Sequence, residues 1–330
     1  APIPGTIWKI GPVLATGCTM VLKPAEEASL TAIRLGMLCL EAGIPPGVIN
    51  VVPGGGPTAG DALVTHPGID KIAFTGSLET GRRIIAASAG NVTRLTLELG
   101  GKSPDIVFRD ADLDQAVPGA AMAIFGNSGQ VCSAGSRLFV QREIYEEFVA
   151  RVAEFGANLK IGNGVEEDTQ LGPVVSSRQL ERVMAYIESG KSEGARPVTG
   201  GVRLTEGSLA GGFFIAPTVF DSVRDDMQIA TEEIFGPVVT AVPFDDVEDV
   251  TRRANSSDFG LGAGIWTTDL RTAHTVARSV KAGSIWVNGY QAMDPAVPFG
   301  GMKRSGFGRE SGREQLEEYL DVKAVWINLT

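Results

Sequence analysis

The residue best suited to covalent chemistry is Cys132, which lies in the segment GNSGQVCSAG (residues 126–135). Its small neighbours leave room for a substrate, and a cysteine thiolate is an effective nucleophile. The same sequence is also compatible with a buried, inert thiol. Among the other cysteines, Cys39 stands between two leucines and is expected in the core, and Cys18 is a weaker candidate than Cys132.

A second candidate is Glu98, which stands near the end of the apolar run LTLEL and directly before two glycines. A carboxyl group at the end of a buried strand loses hydration, which raises its pKa toward the range of a general base. The alternative is a carboxylate on a solvated strand face. Strand alternation favours that alternative, because Thr96 and Glu98 share one face.

Two short segments are compatible with nucleotide binding. Gly76 and Ser77 follow the strand-like run KIAFT and precede a helix, as in a loose variant of a dinucleotide-binding turn, although many such turns are only turns. Lys23 and Glu26 follow another strand. Glu26 could be a first-turn carboxylate favoured by the helix dipole, or it could accept hydrogen bonds from ribose hydroxyls.

The elements that position these residues alternate between strands and helices. Hydrophobic periodicity and glycine or proline stops predict helices at 26–42, 58–64, 76–89, 113–125 and 143–159, and strands at 20–23, 48–52, 71–75, 95–99, 106–108, 138–140, 238–244, 284–287 and 323–329. This alternation is typical of βαβ units with parallel sheets, in which ligands bind at the carboxyl ends of the strands. We therefore expect two α/β domains, at 1–100 and 101–305, and a C-terminal segment at 306–330.

Composition narrows the class of function. The 330 residues are 43% apolar and carry a formal net charge of −10, which fits a soluble globular protein and argues against nucleic acid as a partner. We see no membrane span and no secretory signal, and three cysteines suit a reducing cytoplasm better than a disulfide framework. With only two histidines, His66 and His274, no zinc site is expected, and a carboxylate becomes the more plausible base.

Together these segments resemble the aldehyde dehydrogenase superfamily over nearly the whole chain. Five motifs occur in the order of that family: FTGS at 74–77, LELGGKSP at 97–104, GQVC at 129–132, EEIFGP at 232–237 and PFGG at 298–301. The resemblance implies an incomplete Rossmann-like cofactor domain, an α/β catalytic domain and a C-terminal strand for oligomerisation. Because the family's N-terminal portion does not match any part of this sequence, its oxyanion asparagine is expected to fall before residue 1.

The resemblance also implies roles for individual residues. Cys132 would attack an aldehyde to give a thiohemiacetal and then a thioester, and Glu98 would activate the water that hydrolyses the thioester. NAD would be the cofactor, with NADP possible because some members with a glutamate at position 26 accept both. The cofactor would be bound by Lys23, Glu26, Gly76, Ser77, Leu99, Glu233 and Phe235. The partners implied are a small-molecule aldehyde and further copies of the chain, in a homodimer or homotetramer.

Two alternatives to this function stay open. A CoA-acylating semialdehyde dehydrogenase would pass the thioester to a thiol instead of water, although the presence of Glu98 argues against it. A catalytically silent α/β module would keep the fold without turnover. The sequence does not identify the aldehyde, although Phe125 and Met293 suggest an apolar channel.

Overall fold

The computed structural model describes residues 2–330. From residue 2 to Glu98, helices and strands alternate along the chain. The helices of this part are α1 (Pro2–Ala15), α2 (Ser29–Glu41), α3 (Asp61–Val64) and α4 (Leu78–Ser88), and its strands are β1 (Met20–Leu22), β2 (Ile49–Val51), β3 (Lys71–Thr75) and β4 (Arg94–Glu98). The strands and helices predicted in this stretch are all present, with their ends shifted by a few residues at most.

The rest of the chain continues the same alternation. Its helices are α5 (Leu113–Phe125), α6 (Tyr145–Ala157), α7 (Ser177–Ser192), α8 (Gln228–Thr231), α9 (Val247–Asn255), α10 (Leu270–Ser279) and α11 (Gly312–Glu317). Its strands are β5 (Pro104–Val107), β6 (Arg137–Gln141), β7 (Arg196–Thr199), β8 (Arg203–Leu204), β9 (Phe214–Ile215), β10 (Thr218–Asp221), β11 (Val238–Phe244), β12 (Phe259–Gly260), β13 (Gly262–Trp266), β14 (Ser284–Val287), β15 (Met302–Lys303) and β16 (Gly306–Phe307).

The chain forms two compact units. Unit 1 contains residues 1–98, 293–300 and 307–330, and unit 2 contains residues 99–292 and 301–306. In unit 1, β1 pairs with β2 and β3 pairs with β4, both in parallel. As predicted, Lys23 and Gly76 follow the carboxyl ends of β1 and β3, and Glu98 is the last residue of β4.

Unit 2 is built on a seven-stranded sheet with the order β14-β13-β5-β6-β11-β10-β7, in which only β7 is antiparallel to its neighbour. The central strands bury both faces, as parallel strands covered by helices do. Alternate residues therefore enter two separate cores: Ile106 and Phe139 point into one, and Val107 and Leu138 into the other. Phe125 is fully buried in the second core, so it packs the fold and does not line a channel.

Helix α1 was not predicted, and α2 has a different buried face from the one its sequence suggests. The prolines and glycines of α1 argue against a helix in the sequence, although Ile3, Ile7 and Ile10 recur at helical spacing. In α2 the buried residues are Ala32 and Cys39, whereas Leu30 is 81% exposed. Cys39 and the half-buried Leu35 therefore make the contacts of α2 with the unit 1 core.

The predicted strand at 323–329 is not formed within this chain. Residues 321–330 have no regular secondary structure, and Trp326 is 96% exposed. An isolated strand leaves its backbone N–H and C=O groups unpaired, so it needs a neighbouring strand to form. Pairing of this segment with another subunit stays a prediction.

Candidate active site

Cys132 follows a tight turn in which three consecutive residues have left-handed backbone conformation. The φ angles of Asn127, Ser128 and Gly129 are 50°, 56° and 69°. Side-chain bonds hold the turn, since the Ser128 hydroxyl donates to the carbonyl of Gly172 at 2.7 Å. A Cβ atom at position 129 would lie 2.0 Å from the carbonyl oxygen of Gly236, so only glycine fits there. Conformations this unfavourable persist only where the surrounding structure imposes them.

Cys132 is half-buried, as is Cys18, whereas Cys39 is buried in the unit 1 core as predicted. The Cys132 backbone lies against Gly101, because a Cβ at Gly101 would meet the Cys132 carbonyl oxygen at 2.5 Å. Within the described residues, none of the three cysteines forms a disulfide bond. The partial exposure of Cys132 agrees with a reactive thiol rather than a core one.

Glu98 is buried, with 3% of its surface exposed, so the alternative of a solvated strand face is wrong. Segments distant in sequence cover this face of β4: a Cβ at Gly300 would lie 2.8 Å from Glu98 Oε1, and one at Gly308 would lie 2.5 Å from Cγ2 of Thr96. Within residues 2–330, neither carboxylate oxygen of Glu98 has a hydrogen-bond partner. Burial raises the pKa of Glu98 to about 8, although the positive charges of Lys9 and Arg309 oppose this.

Two functional candidates that the sequence did not reveal lie close to Glu98. Lys9, on α1, forms a buried ion pair with Glu310. The charge of Lys9 is also the strongest influence that favours the ionised form of Glu98. A helical pattern in α1 could have placed Lys9 on an ordered element, but nothing in the local sequence distinguishes Glu310 from a surface carboxylate. This ion pair is therefore part of the electrostatic environment of Glu98.

Lys23 and Glu26 lie close together after β1, and their predicted binding to one ribose stays a prediction. The Lys23 ammonium donates to the carbonyls of Pro24 at 2.7 Å and Gly54 at 2.9 Å, and it lies 3.8 Å from Oε2 of Glu26. Glu26 Oε1 accepts the N–H of Gly56 at 2.8 Å. Glu26 is exposed, so its carboxylate can also accept hydrogen bonds from the hydroxyl groups of a sugar.

Gly76 and Ser77 form the predicted turn between β3 and α4. The N–H of Gly76 donates to the Glu98 carbonyl at 3.0 Å, which joins this turn to the end of β4. A Cβ at position 76 would lie 2.4 Å from the Phe74 ring, so the turn requires glycine. The Ser77 hydroxyl caps α4 by accepting the N–H of Thr80 at 3.2 Å. The start of this 11-residue helix therefore presents backbone donors, which suits a phosphate group.

In unit 2, Glu233 contacts Gly100 and Gly101, which follow Leu99. The N–H of Gly101 donates to Glu233 Oε1 at 3.2 Å, and a Cβ at Gly100 would lie 2.0 Å from Oε2. Burial raises the pKa of Glu233, and the hydrogen bond from Gly101 opposes this. Leu99 itself is buried, and its N–H donates to the carbonyl of Ser305 at 2.9 Å. Glu233, Gly101 and Cys132 are thus packed together.

Phe235 has a φ of 60°, which is unfavourable for an aromatic residue. The Gln179 amide fixes this segment by donating to the carbonyls of Phe235 at 2.8 Å and Ile234 at 3.1 Å. The ring of Phe235 is half-buried. An outlier held this firmly is a candidate for a binding role.

Within the described residues, no group of three or more His, Cys, Asp or Glu side chains could hold a metal ion. None of the helices described here combines the length and the apolar character needed to cross a bilayer.

Comparison with known proteins identifies the family. The model of the aldehyde dehydrogenase family matches residues 1–325. Human retinal dehydrogenase 2 is 50% identical over 323 residues, which cover 98% of this chain and 62% of that protein. Phenylacetaldehyde dehydrogenase of Pseudomonas fluorescens is 48% identical over 327 residues, which cover 99% of this chain and 64% of that protein. The chain therefore belongs to the aldehyde dehydrogenase family, and it spans less than two thirds of the length of these relatives.

Solved structures confirm the expected α/β fold. The NAD⁺ complex of aldehyde dehydrogenase from Bacillus cereus superposes with a TM-score of 0.97 at 52% identity, covering 100% of this chain and 66% of that one. Betaine aldehyde dehydrogenase from Staphylococcus aureus, also solved with NAD⁺, superposes with a TM-score of 0.96 at 42% identity. The match covers 98% of this chain and 66% of that one.

Proposed function

We propose that this chain takes part in the NAD(P)-dependent oxidation of an aldehyde to the carboxylic acid, with Cys132 as nucleophile and Glu98 as general base. The observation that carries the proposal is the state of Glu98: a buried carboxylate, at a strand end, whose two oxygens have no protein partner in the described residues. A carboxylate with a pKa near the working pH can accept a proton from water efficiently.

The chemistry of the two residues is sequential. The Cys132 sulfur bonds to the aldehyde carbon, and the backbone N–H of Cys132 stabilises the resulting oxyanion. Loss of a hydride from that carbon leaves a thioester on Cys132. Glu98 then takes a proton from water while the water oxygen bonds to the thioester carbon. The carbon–sulfur bond breaks, the acid leaves, and Cys132 returns to a thiolate.

NAD supplies the hydride acceptor when it is bound, and the residues present fit such a cofactor. Lys23 and Glu26 would hold the adenosine ribose, since both lie beside the loop at Gly54 and Glu26 is exposed. Gly76 and Ser77 would hold the pyrophosphate at the start of α4. The carboxylate of Glu26 repels a 2′-phosphate, which favours NAD over NADP.

The nicotinamide ribose would be bound from unit 2. Glu233 is held there by Gly101, and Phe235 is fixed in its unusual conformation by Gln179. Leu99, whose backbone is fixed by Ser305, would supply a further contact to the cofactor. We further propose cytoplasmic function in a homodimer or homotetramer, with residues 323–329 pairing with a sheet of a neighbouring subunit.

Thiol labelling tests the nucleophile. Iodoacetamide should label Cys132 much faster than Cys18 or Cys39, as followed by peptide mass spectrometry over time. Equal rates at the three thiols would refute the role of Cys132.

Turnover tests the reaction and separates it from the alternatives. A panel of aldehydes assayed with NAD and with NADP should give aldehyde-dependent formation of the reduced cofactor. The first aldehydes to test are retinal and phenylacetaldehyde, because two relatives are named after them. Glu98→Gln should retain the formation of thioester and lose its hydrolysis. Thioester transfer to CoA in preference to water would favour the CoA-acylating alternative, and cofactor binding without turnover would favour the silent module.

A further inference from the structure

Strand β13 of unit 2 has glycines at Gly262 and Gly264, which lie on the same face because side chains alternate along a strand. Two aromatic rings fill most of the space that these glycines leave, and the Asp105 carboxyl group also lies against Gly264. A Cβ at Gly262 would lie 2.8 Å from the ring of Trp286, and a Cβ at Gly264 would lie 2.6 Å from the ring of Tyr290. Any larger residue at either position would push a ring out of place.

The segment that carries Tyr290 is fixed at several points. The Trp286 and Tyr290 rings pack with centroids 5.0 Å apart, and the Trp286 indole N–H donates to the Ala292 carbonyl at 2.8 Å. Asn288, with a φ of 53°, exchanges two hydrogen bonds with the backbone of Thr267, at 2.9 Å and 3.0 Å. The position of the Tyr290 hydroxyl is therefore determined by the sheet.

That hydroxyl donates to the backbone carbonyl of Ser133 at 2.9 Å. Ser133 directly follows Cys132, and a Cβ at Gly262 would also lie 3.3 Å from the Ser133 Cβ. On its other side, the backbone of Cys132 packs against Gly101. The peptide groups flanking the thiol are thus held by β13 and Tyr290 on one side and by Gly101 on the other.

We propose that Tyr290 is a positioning residue for the nucleophile: through the Ser133 carbonyl it fixes the backbone that aims the Cys132 thiol and its N–H at one carbonyl group. This inference rests on the proposed function of Cys132. A reaction that needs both the thiol and the N–H depends on sub-ångström placement. Simple alkylation of the thiol does not use the N–H, so the two reactions separate positioning from intrinsic reactivity.

Tyr290→Phe tests this by removing one hydroxyl and keeping the ring. The acylation of Cys132 by p-nitrophenyl acetate should fall about tenfold to a hundredfold, since a displacement of about 1 Å can cost this much. Alkylation by iodoacetamide should change by less than about threefold, because it needs no oxyanion donor. The measurements are the p-nitrophenol burst rate and the rate of mass increase at the Cys132 peptide.

A matched control is Tyr145→Phe. The Tyr145 hydroxyl also donates to a backbone carbonyl of unit 2, that of Ala241 at 3.1 Å, and it has no contact with the segment around Cys132 among those described. This variant should lose similar stability in a urea titration and keep the wild-type acylation rate. If Tyr290→Phe does not fold, Trp286→Phe removes the bond to Ala292 and should lower the acylation rate in the same direction.

Four results decide the matter. Selective loss of acylation in Tyr290→Phe supports the positioning role. Wild-type acylation in that variant overturns it, and so does an equal loss in the Tyr145→Phe control. A wild-type chain that is neither labelled selectively at Cys132 nor acylated there would refute the proposed function, and this inference with it.

Discussion

The carboxyl group of Asp105 gives a stability prediction that can be worked out from the structure. Asp105 lies on β5, fully buried, and its Oδ1 accepts the indole N–H of Trp266 at 2.8 Å. Its Oδ2 has no partner in the part of the chain described. Burial raises the pKa of Asp105 from its ordinary 3.8 to about 7, although the bond from Trp266 opposes this. Asp105→Asn replaces it with a side chain that never ionises.

The sign and the size follow from proton linkage. The folded pKa is higher than the unfolded one, so ionisation of Asp105 costs the folded state stability as pH rises from about 4, and the full cost is present above about pH 7. At ~1.4 kcal/mol for each pKa unit, the difference between 3.8 and about 7 amounts to about 4 kcal/mol. When the pH is raised from about 5 to about 8.5, the free energy of unfolding of the asparagine variant should therefore increase by about 3 kcal/mol relative to that of the wild type.

Urea titrations at the two pH values measure this, followed by tryptophan fluorescence and far-UV circular dichroism. Asp221→Asn is the matched control, because Arg196 lowers the pKa of Asp221. Stability from that ion pair is complete above about pH 4, so the control should be less stable than the wild type by a similar amount at both pH values. A difference between Asp105→Asn and the wild type that does not change with pH would refute the reasoning.

Three further predictions concern residues near the site. Lys9→Met removes a cation that favours ionised Glu98, so the midpoint of the pH profile for thioester hydrolysis should move above about 8, and an unchanged midpoint would show that Lys9 has no effect on the base. Gly100→Ala places a Cβ 2.0 Å from Glu233 Oε2, so calorimetry should show weaker NAD binding, whereas wild-type affinity would exclude Glu233 from the cofactor site. Arg137→Lys loses guanidinium donors to three backbone carbonyl oxygens, two of them in buried hydrogen bonds, and should lower the free energy of unfolding by about 2–4 kcal/mol in a urea titration. A loss below about 1 kcal/mol would contradict this.

The regular elements could be predicted largely from hydrophobic periodicity and from glycine or proline stops. The strand at 71–75 and the helix at 113–125 were predicted to the residue, because strong patterns end there at turn residues. Helix α1 was missed because it contains Pro12 and two glycines, which normally oppose a helix. The tail at 323–329 has the apolar, β-branched composition of a strand, but no partner strand lies beside it among residues 2–330.

The candidate site was predictable only in part. Motif order singled out Cys132 and Glu98, but the alternation of β4 gave the wrong environment for Glu98, because residues 300 and 308, some 200 positions away, cover that face. An even larger distance in sequence, 301 positions, separates Glu310 from its partner Lys9. Contacts between segments this far apart are set by the tertiary fold and leave no local signal.

The two glycines of β13 also have a consequence for local unfolding. At Gly262 and Gly264 this face of β13 has no side chain of its own, so its shielding from water there comes from Trp286, Tyr290 and Asp105. Detachment of residues 288–292 would therefore remove the Tyr290 ring, hydrate β13 at Gly264 and release the Ser133 carbonyl in one event. The backbone amides of β13 and of the segment after Cys132 should then exchange with deuterium at a common rate, as members of a single cooperative unit.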